Sequence, residues 1–572
     1  MPPISRRFLS AGSALAISAL LAAAPMRAED GLAGAYLAAR HANFDGDFRN
    51  SAAYLTQALV LDPDNPNLME NAVMAYMALG QFANALPIAR RLEEVDAGRQ
   101  VARLALLAEK LHDKAYGDAL TAVEAGINVG TLVDGLVGAW AELGEGRMSE
   151  ALTAFDTVAT APGVEAFGLY HKGLALASVG DFEGADRVFG GGDGSKGLRL
   201  TRRGTLAYAE VLSQLERNAD AIALIDEGFG ASADPRASEL RARLEAGETV
   251  PFDIVRDPLD GQAEVFVSVA NALNGEAEDS YTLLYARVAE YLRPDHADAV
   301  LLSADLLERL KQYDLATETY DRIGRDDPAF YSAEIGRAEA LYSAGKPEAA
   351  IEAMRQLAHA LPDLLLVQVT LGDMLRRQEQ FGEAAKAYSD GIALIEAPEE
   401  QHWAVFYSRG IAYERSGQWP QAEADFRKAL ELSPDRPQVL NYLGYSYVEM
   451  QENLDEALAM IEKAVELSPE SGFIVDSLGW VLYRLGRYDE AVAKMERAVE
   501  LMPVDAIVTD HLGDVYWAVG RKLEARFQWR RALSFDPEEK ELQRIRRKLE
   551  VGLDAVLNEE GAPPLAVSAN DG

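Results

Sequence analysis

The chain has no cysteine among its 572 residues. Disulfides, thiolate nucleophiles, cysteine-based zinc sites and iron–sulfur clusters are therefore excluded. We also expect no lipid attached through an N-terminal cysteine. Whatever holds the fold together must come from packing, hydrogen bonds and ion pairs.

Basic residues are scarce relative to acidic ones. Lys and Arg number 55 against 92 Asp and Glu, which gives a formal net charge of −37. Binding to nucleic acid requires basic patches that displace counterions, and anionic membrane surfaces attract basic segments. We therefore expect neither nucleic acid nor an anionic membrane as a partner.

Long apolar runs are lacking beyond the N-terminus. There, Arg6 and Arg7 precede the uncharged stretch SAGSALAISALLAAA, which Pro25 ends. A basic segment followed by a short apolar run is typical of a signal peptide and is too short for a good membrane span. We expect residues 1–28 to be a signal peptide and the mature chain to be exported to the periplasm without an integral membrane span. The twin arginines resemble a Tat signal, but the usual spacer before FL is missing, which favours the general secretory route.

Catalytic and cofactor-binding patterns are also lacking. The seven histidines include no i, i+4 pair and no HExxH motif, and no Gly-x-Ser-x-Gly sequence occurs. The glycine-rich stretch GGGDGSKG lacks the Gly-Lys-Ser/Thr ending of a phosphate-binding loop, so we interpret it as a linker. We expect no enzyme activity, no cofactor and no metal site.

A repeat of about 34 residues is present in the C-terminal half. Prolines recur at Pro434, Pro469, Pro503 and Pro537, and each unit carries a glycine followed after 12 or 13 residues by an alanine. The glycine–alanine pairs are Gly410/Ala422, Gly444/Ala457, Gly479/Ala491 and Gly513/Ala525. Four residues beyond each alanine stands a large side chain: Phe426, Ile461, Met495 and Trp529. Small residues allow two antiparallel helices to approach closely, the large residue fills the space beside them, and proline ends the second helix.

This pattern closely resembles the tetratricopeptide repeat family, most strongly over residues 404–537. The resemblance implies an all-α solenoid of helical hairpins wound into a right-handed superhelix. Weaker units extend upstream, so we expect a degenerate N-terminal array at 29–230 and a C-terminal array at 262–551. The segment 231–261 carries no repeat signature and is expected to be an irregular joint, and 552–572 a disordered tail. The stretches AEVFVSVANALNG and EDSYTLLYARVAEYLRP, just after the joint, are predicted to form two amphipathic helices.

In this family, ligand contacts come from first-helix positions three before, one after and four after the signature glycine. Carried onto this chain, the positions are Tyr407, Ile411 and Glu414, then Asn441, Tyr445 and Val448, then Asp476, Trp480 and Tyr483, and finally Asp510, Asp514 and Trp517. The lysines and arginines of the family's carboxylate clamp are absent from these positions, so we expect no such clamp. Instead the set predicts a concave groove of aromatic and acidic side chains that binds a protein or peptide, although the same aromatics could pack between neighbouring repeats.

Three functions from different classes stay open. The first is a periplasmic protein–protein interaction scaffold. The second follows from a resemblance of the C-terminal third, LGYSY…VDSLGW…HLGDVYWAVGR, to periplasmic adaptors that deliver substrates to carboxyl-terminal processing proteases; such adaptors are often lipoproteins, which this cysteine-free chain does not match. The third is an enzyme with an unrecognised site.

The signal-peptide interpretation predicts cleavage after Ala28. Cleavage would remove three positive charges and leave a mature chain that begins at Glu29 with a formal charge of −40, since −37 − 3 = −40. Mass spectrometry of the protein from a periplasmic fraction should find this N-terminus. Intact residues 1–28 on protein recovered from the cytoplasm would contradict the prediction.

Overall fold

A computed structural model describes residues 32–125, 129–192, 198–230, 234–562 and 564–565. The expected signal peptide, part of the glycine-rich linker and the end of the tail beyond 565 lie outside these residues. Within the described residues the elements are helices, apart from one isolated bridge between Asn274 and Ala277. The predicted all-α class is confirmed.

The chain divides into two compact units, residues 1–353 and 354–572. The division falls within helix α19 (Pro347–Ala360). Before it, the helices are α1 (Leu32–Phe44), α2 (Phe48–Leu61), α3 (Pro66–Ala78), α4 (Phe82–Val95), α5 (Gln100–His112), α6 (Tyr116–Glu124), α7 (Thr131–Gly144), α8 (Met148–Ala159), α9 (Glu165–Ser178), α10 (Phe182–Phe189), α11 (Arg202–Gln214), α12 (Asn218–Phe229), α13 (Pro235–Glu245), α14 (Pro258–Leu273), α15 (Asp279–Leu292), α16 (Ala297–Arg309), α17 (Tyr313–Tyr320) and α18 (Phe330–Ser343).

The second unit continues the same hairpin pattern. Its helices are α20 (Leu365–Arg377), α21 (Phe381–Ile392), a 3-10 turn at Glu400–His402, α22 (Trp403–Arg415), α23 (Trp419–Leu432), α24 (Pro437–Met450), α25 (Leu454–Leu467), α26 (Gly472–Arg484), α27 (Tyr488–Leu501), α28 (Ala506–Ala518), α29 (Lys522–Leu533), α30 (Glu539–Val551) and α31 (Leu553–Glu559). Pro434, Pro469, Pro503 and Pro537 lie in the turns that follow α23, α25, α27 and α29.

The signature glycines are the contact points within each hairpin of the second unit. A Cβ atom on Gly410, Gly444, Gly479 or Gly513 would come within 2.4–2.8 Å of the large side chain on the second helix. Those side chains are Phe426, Ile461, Met495 and Trp529, and all four are fully buried. Since a real Cβ does not fit at such a distance, the hairpin requires glycine there.

The signature alanines lie in the first turn of each second helix, on α23, α25, α27 and α29. All four have no exposed surface: Ala422, Ala457, Ala491 and Ala525. In one hairpin a Cβ on Gly444 would lie 3.1 Å from the carbonyl oxygen of Ala457, so the two backbones approach closely at the alanine. Complete burial leaves none of these alanines accessible to a partner, and a larger side chain at any of them would have to displace its neighbours.

The first unit contains a feature that its repeat pattern does not predict. The helices α3, α5, α7 and α9 are the first helices of successive hairpins, and the α14–α15 hairpin packs against all four. Helix α14 contacts α5, α7 and α9, while α15 contacts α3 and α5. The first-helix side of the N-terminal array is therefore occupied by a later segment of the same chain.

Burial of the α14–α15 hairpin extends around its whole circumference. Residues 260–267 are buried without interruption, as are residues 282–290. The amphipathic pattern expected for these two helices is therefore wrong, because a helix with one polar face would leave that face in water. Helices that are covered on all sides act as core elements.

Two polar side chains on this hairpin donate hydrogen bonds to the backbone of the surrounding array. Gln262 donates to the carbonyl oxygen of Val137 at 3.0 Å, and Arg287 donates to the carbonyl oxygen of Ala78 at 3.0 Å. Arg287 also forms a buried ion pair with Glu290 at 2.9 Å. These bonds specify one register for the hairpin, since a shift would leave buried polar groups unpaired.

The segment that leads into α14 is extended but firmly held. The carboxylate of Glu210 accepts hydrogen bonds from the backbone N–H groups of Asp253 and Ile254 at 3.0 and 3.3 Å. The N–H of Val250 donates to the hydroxyl of Ser213 at 2.9 Å. Burial, with help from Asp253, raises the pKa of Glu210 to about 7. The chain is thus anchored to α11 before it enters the array.

The observed division differs from the boundary expected from the sequence. The expected joint at 231–261 contains helix α13 and the anchored extended segment, and the compact units divide at Ala353/Met354 instead. The physical reason is that α14 and α15 belong to the core of the N-terminal array. The start of the tail that was expected to be disordered is instead the helix α31, whose Leu553 and Val556 are buried.

Packing of α14 inside the array predicts an asymmetric effect of two glycine substitutions. A Cβ on Gly261 would lie 2.3 Å from the ring of Trp140 on α7, so Gly261→Ala should lower the free energy of unfolding by about 1–3 kcal/mol. Gly138 lies inside α7, and its Cβ would meet only Leu120 at 4.0 Å. Gly138→Ala should raise stability by about 0.5–1 kcal/mol, since alanine favours helix.

Urea unfolding of both variants, followed by circular dichroism, measures the difference. Equal effects of the two substitutions would contradict the packing of α14 against α7.

Candidate functional site: the first-helix face of the second unit

The side chains predicted to line a groove lie on α22, α24, α26 and α28. Of the twelve, the structure leaves Tyr407, Ile411, Glu414 and Tyr445 half-buried and buries the other eight, among them Val448. The buried residues are Asn441, Val448, Asp476, Trp480, Tyr483, Asp510, Asp514 and Trp517. The expectation that these side chains point freely into an open groove is therefore wrong for most of them, and whether they bind a partner stays a prediction.

Trp480 and Asp476 on α26 both contact His511 on α28. The indole of Trp480 stacks on the imidazole with ring centroids 4.0 Å apart, and His511 donates from Nδ1 to the carboxylate of Asp476 at 3.0 Å. Trp480 Nε1 donates in turn to Glu449 on α24 at 3.0 Å. Burial alone would lower the pKa of His511, but the carboxylates of Asp476, Asp510 and Asp514 raise it above the ordinary value. These contacts join three consecutive first helices.

Asp510 and Asp514 on α28 bind a lysine from the helix that follows the last repeat. The Lys548 ammonium is fully buried and donates to Asp510 at 2.6 Å and to both oxygens of Asp514 at 2.7 and 2.8 Å. Asp514 also accepts from Trp529 Nε1 at 2.9 Å. Even so, burial raises the pKa of Asp510 above its ordinary value. The two aspartates therefore hold α30 in place.

Trp517 is covered by the turn between α30 and α31. Its Nε1 donates to Asp554 at 2.8 Å, and a Cβ on Gly552 would lie 2.6 Å from its ring. Gly552 has φ +88°, a conformation that favours glycine. The C-terminal helices therefore close this end of the first-helix face.

Two exposed apolar side chains on the same face were not predicted. Phe473 on α26 and Ile507 on α28 are 54% and 52% exposed. Each lies six residues before its signature glycine, so Phe473 shares a helical stripe with Asp476 and Trp480 at i, i+3 and i+7. The sequence contained a signal for these two side chains, because each is an apolar residue one helical turn before a predicted groove aspartate.

The pairing of Lys548 could also have been inferred from the sequence. Two aspartates that point inward require a counter-charge, and the basic stretch 544–548 follows them.

Neither a metal site nor a membrane helix emerges from the described residues. Within those ranges, no three His, Asp or Glu side chains are grouped so that they could hold a metal ion. No helix that the structure describes combines the length and the apolar character needed to cross a membrane.

Family models described as tetratricopeptide repeat match residues 36–102, 312–364, 335–399 and 407–472, and a further one matches 476–503. These residues form tetratricopeptide repeats. The matches lie on both sides of the region in which α14 and α15 fill the array. Proteins of this family bind other proteins.

Similar proteins include the TPR repeat-containing protein PA4667 of Pseudomonas aeruginosa, which is 26% identical over 183 residues. That match covers 32% of this chain and 30% of the relative, so the chain spans about a third of the relative's length. Among solved structures, the Cut9–Hcn1 hetero-tetramer of APC/C aligns at 15% identity and a TM-score of 0.38, covering 91% of this chain and 96% of that one. A repeat protein from Parabacteroides merdae aligns at 17% identity and a TM-score of 0.37, covering 45% and 98%. These TM-scores are too low to support an inference about the partners of this chain.

The buried lysine predicts that the C-terminal helices depend on one ion-pair network. Lys548→Met would remove the nearest counter-charge of the buried Asp510 and Asp514 and leave them only the more distant Arg544, 3.9 and 3.4 Å away. It should destabilise the second unit by about 3–5 kcal/mol. Lys540→Met, at an exposed position of the same helix, should change stability by less than about 0.5 kcal/mol.

Urea unfolding followed by tryptophan fluorescence measures both variants. Adding Asp510→Asn to Lys548→Met should restore part of the loss, because it removes one buried charge. An unchanged midpoint for Lys548→Met would contradict the network.

Proposed function

We propose that this protein is a non-enzymatic, exported scaffold that binds a polypeptide partner on the first-helix face of its second unit. The observation that carries the proposal is the exposed pair Phe473 and Ile507, which occupy the same register on consecutive first helices. Large apolar side chains that recur on one face are a mark of protein interaction surfaces.

The surroundings of this pair restrict where a partner can bind. Trp480, Asp476 and His511 are already engaged with one another, so the middle of α26 and α28 offers little free side-chain surface. Val504, in the turn before α28, is 73% exposed and extends the apolar surface on the Ile507 side. The partner therefore contacts the N-terminal ends of these first helices with apolar side chains.

The adaptor function is the second candidate. It is supported by the resemblance of the C-terminal third to adaptors of carboxyl-terminal processing proteases. On this interpretation the exposed apolar surface receives the protease or its substrate. An enzyme function is the remote alternative, and activity in purified protein that survives substitutions on this face would support it.

The test compares two matched pairs of substitutions. Phe473→Gln/Ile507→Gln removes the proposed contact surface. Leu523→Gln/Phe527→Gln changes two side chains that are at least as exposed, 83% and 63%, but lie on the second helix α29. Both pairs consist of exposed side chains, so both variants should fold, which circular dichroism verifies.

Partners are first identified by cross-linking in periplasmic extract, and affinity is then measured by calorimetry with each purified partner. The Phe473→Gln/Ile507→Gln variant should bind at least about tenfold more weakly, while the α29 variant retains its affinity. A protease among the partners would support the adaptor function. Equal affinity of the two variants would contradict the proposed surface.

A further inference from the structure

The first unit contains a groove that none of the predicted site residues line. It has a volume of about 730 Å³ and lies between α9, α11, α14 and α16. This volume is within the range of about 300–1,000 Å³ that is usual for ligand sites. The groove exists because α14, after entering the array, leaves space beside α9 and α16.

Apolar side chains form the walls of the groove. They are Phe167 from α9, Leu198 and Leu200 from the segment before α11, Val267 from α14, and Leu301 and Leu302 from α16. The rim is open to solvent, since Ala166, Asn271 and Ala272 are exposed. A ligand here would bury apolar groups against the walls and leave one side in water.

The floor of the groove is a closed set of ion pairs. Arg203 contacts Glu264 and Asp298 at 2.7 Å each, and Tyr170 donates its hydroxyl to Glu264 at 2.9 Å. Asp298 also pairs with Arg202 at 2.9 Å. Because these charges are paired with one another, the floor offers no free charge to a ligand.

Arg199 at the rim is different. Its side chain is exposed and, among the residues that the structure describes, has neither an ion-pair nor a hydrogen-bond partner. Asp305, the exposed carboxylate on the opposite rim, is already paired with Arg309. Among the described residues that line the groove, Arg199 is therefore the cation whose guanidinium is free to pair with a ligand, although the chain as a whole carries −37.

The apolar walls and the single guanidinium of Arg199 together are complementary to a ligand that has an apolar body and one carboxylate. A peptide C-terminus fits better than a fatty acid for two reasons. A polypeptide can turn its polar backbone to the open side, whereas an acyl chain would leave apolar surface in water. Asn271 is exposed and uses its Nδ2 to donate to Val267 O at 3.0 Å, which leaves its amide oxygen as an acceptor for a peptide N–H.

We propose that this groove binds the free C-terminus of a polypeptide whose last residues are apolar, with the terminal carboxylate paired to Arg199. The site belongs to the first unit and is independent of the surface around Phe473 and Ile507. The protein therefore has a second binding site, specific for chain ends.

The test uses the full chain and a set of synthetic peptides. Each peptide carries fluorescein and a GSGS spacer at its N-terminus, and the last four positions take every combination of Ala, Val, Leu and Phe. Fluorescence anisotropy ranks the set, and the tightest binder is remade with a C-terminal amide. Amidation should weaken binding at least about tenfold, because it removes the charge that Arg199 contacts.

The matched variants are Arg199→Glu and Arg187→Glu. Both replace an exposed arginine of the first unit, but Arg187 lies on α10 and does not line the groove. Arg199→Glu should reduce affinity for the free-carboxylate peptide at least about tenfold, and Arg187→Glu should leave it unchanged. A further variant, Leu198→Gln, should weaken binding of both the free and the amidated peptide.

Three results would overturn the proposal. The first is that no apolar peptide binds more tightly than the GSGS spacer alone. The second is binding that does not change on amidation or with Arg199→Glu. The third is that dodecanoic acid binds the groove while the peptides do not, which would assign it to a lipid.

Discussion

Burial of the α14–α15 hairpin is the constraint on which the first unit depends. In a regular array of helical hairpins, the first helices face solvent and are free to bind a partner. Here α3, α5, α7 and α9 pack against helices that occur up to about two hundred residues later, and Gln262 and Arg287 make side-chain bonds to the array's backbone. The array is therefore filled by its own chain, and the space that remains is the groove beside α14.

The second unit uses a different means to cover its first helices. Aspartates on α26 and α28 are paired with His511 and Lys548, and the tryptophans stack or donate hydrogen bonds within the same layer. Buried charges are expensive to leave unpaired, so this layer specifies the position of α30 more than it offers a surface. The side chains that stay exposed on α26 and α28 are the apolar Phe473 and Ile507, near the N-terminal ends of these helices.

The all-α class could be predicted from the sequence because glycine, alanine and proline spacing reflects contacts within a hairpin. Gly513 and Trp529, 16 residues apart, are an example of such a local contact. The filling of the N-terminal array could not be predicted in this way, since it depends on contacts between Val137 and Gln262 or Ala78 and Arg287. Periodicity reports that a helix has an apolar face, but it does not report which distant helix covers it. The predicted groove residues lie on the first helices of their hairpins, but Trp480 and Trp517 are packed within the unit.

Hydrogen exchange of the full chain, followed by mass spectrometry, tests the filled array most directly. Peptides that cover α14 and α15 should exchange as slowly as those of α7, because their amides become accessible only when the whole first unit unfolds. Peptides from α13, whose main helix contact is with α12, should exchange faster. Exchange of α14 and α15 as fast as that of α13 would contradict the account.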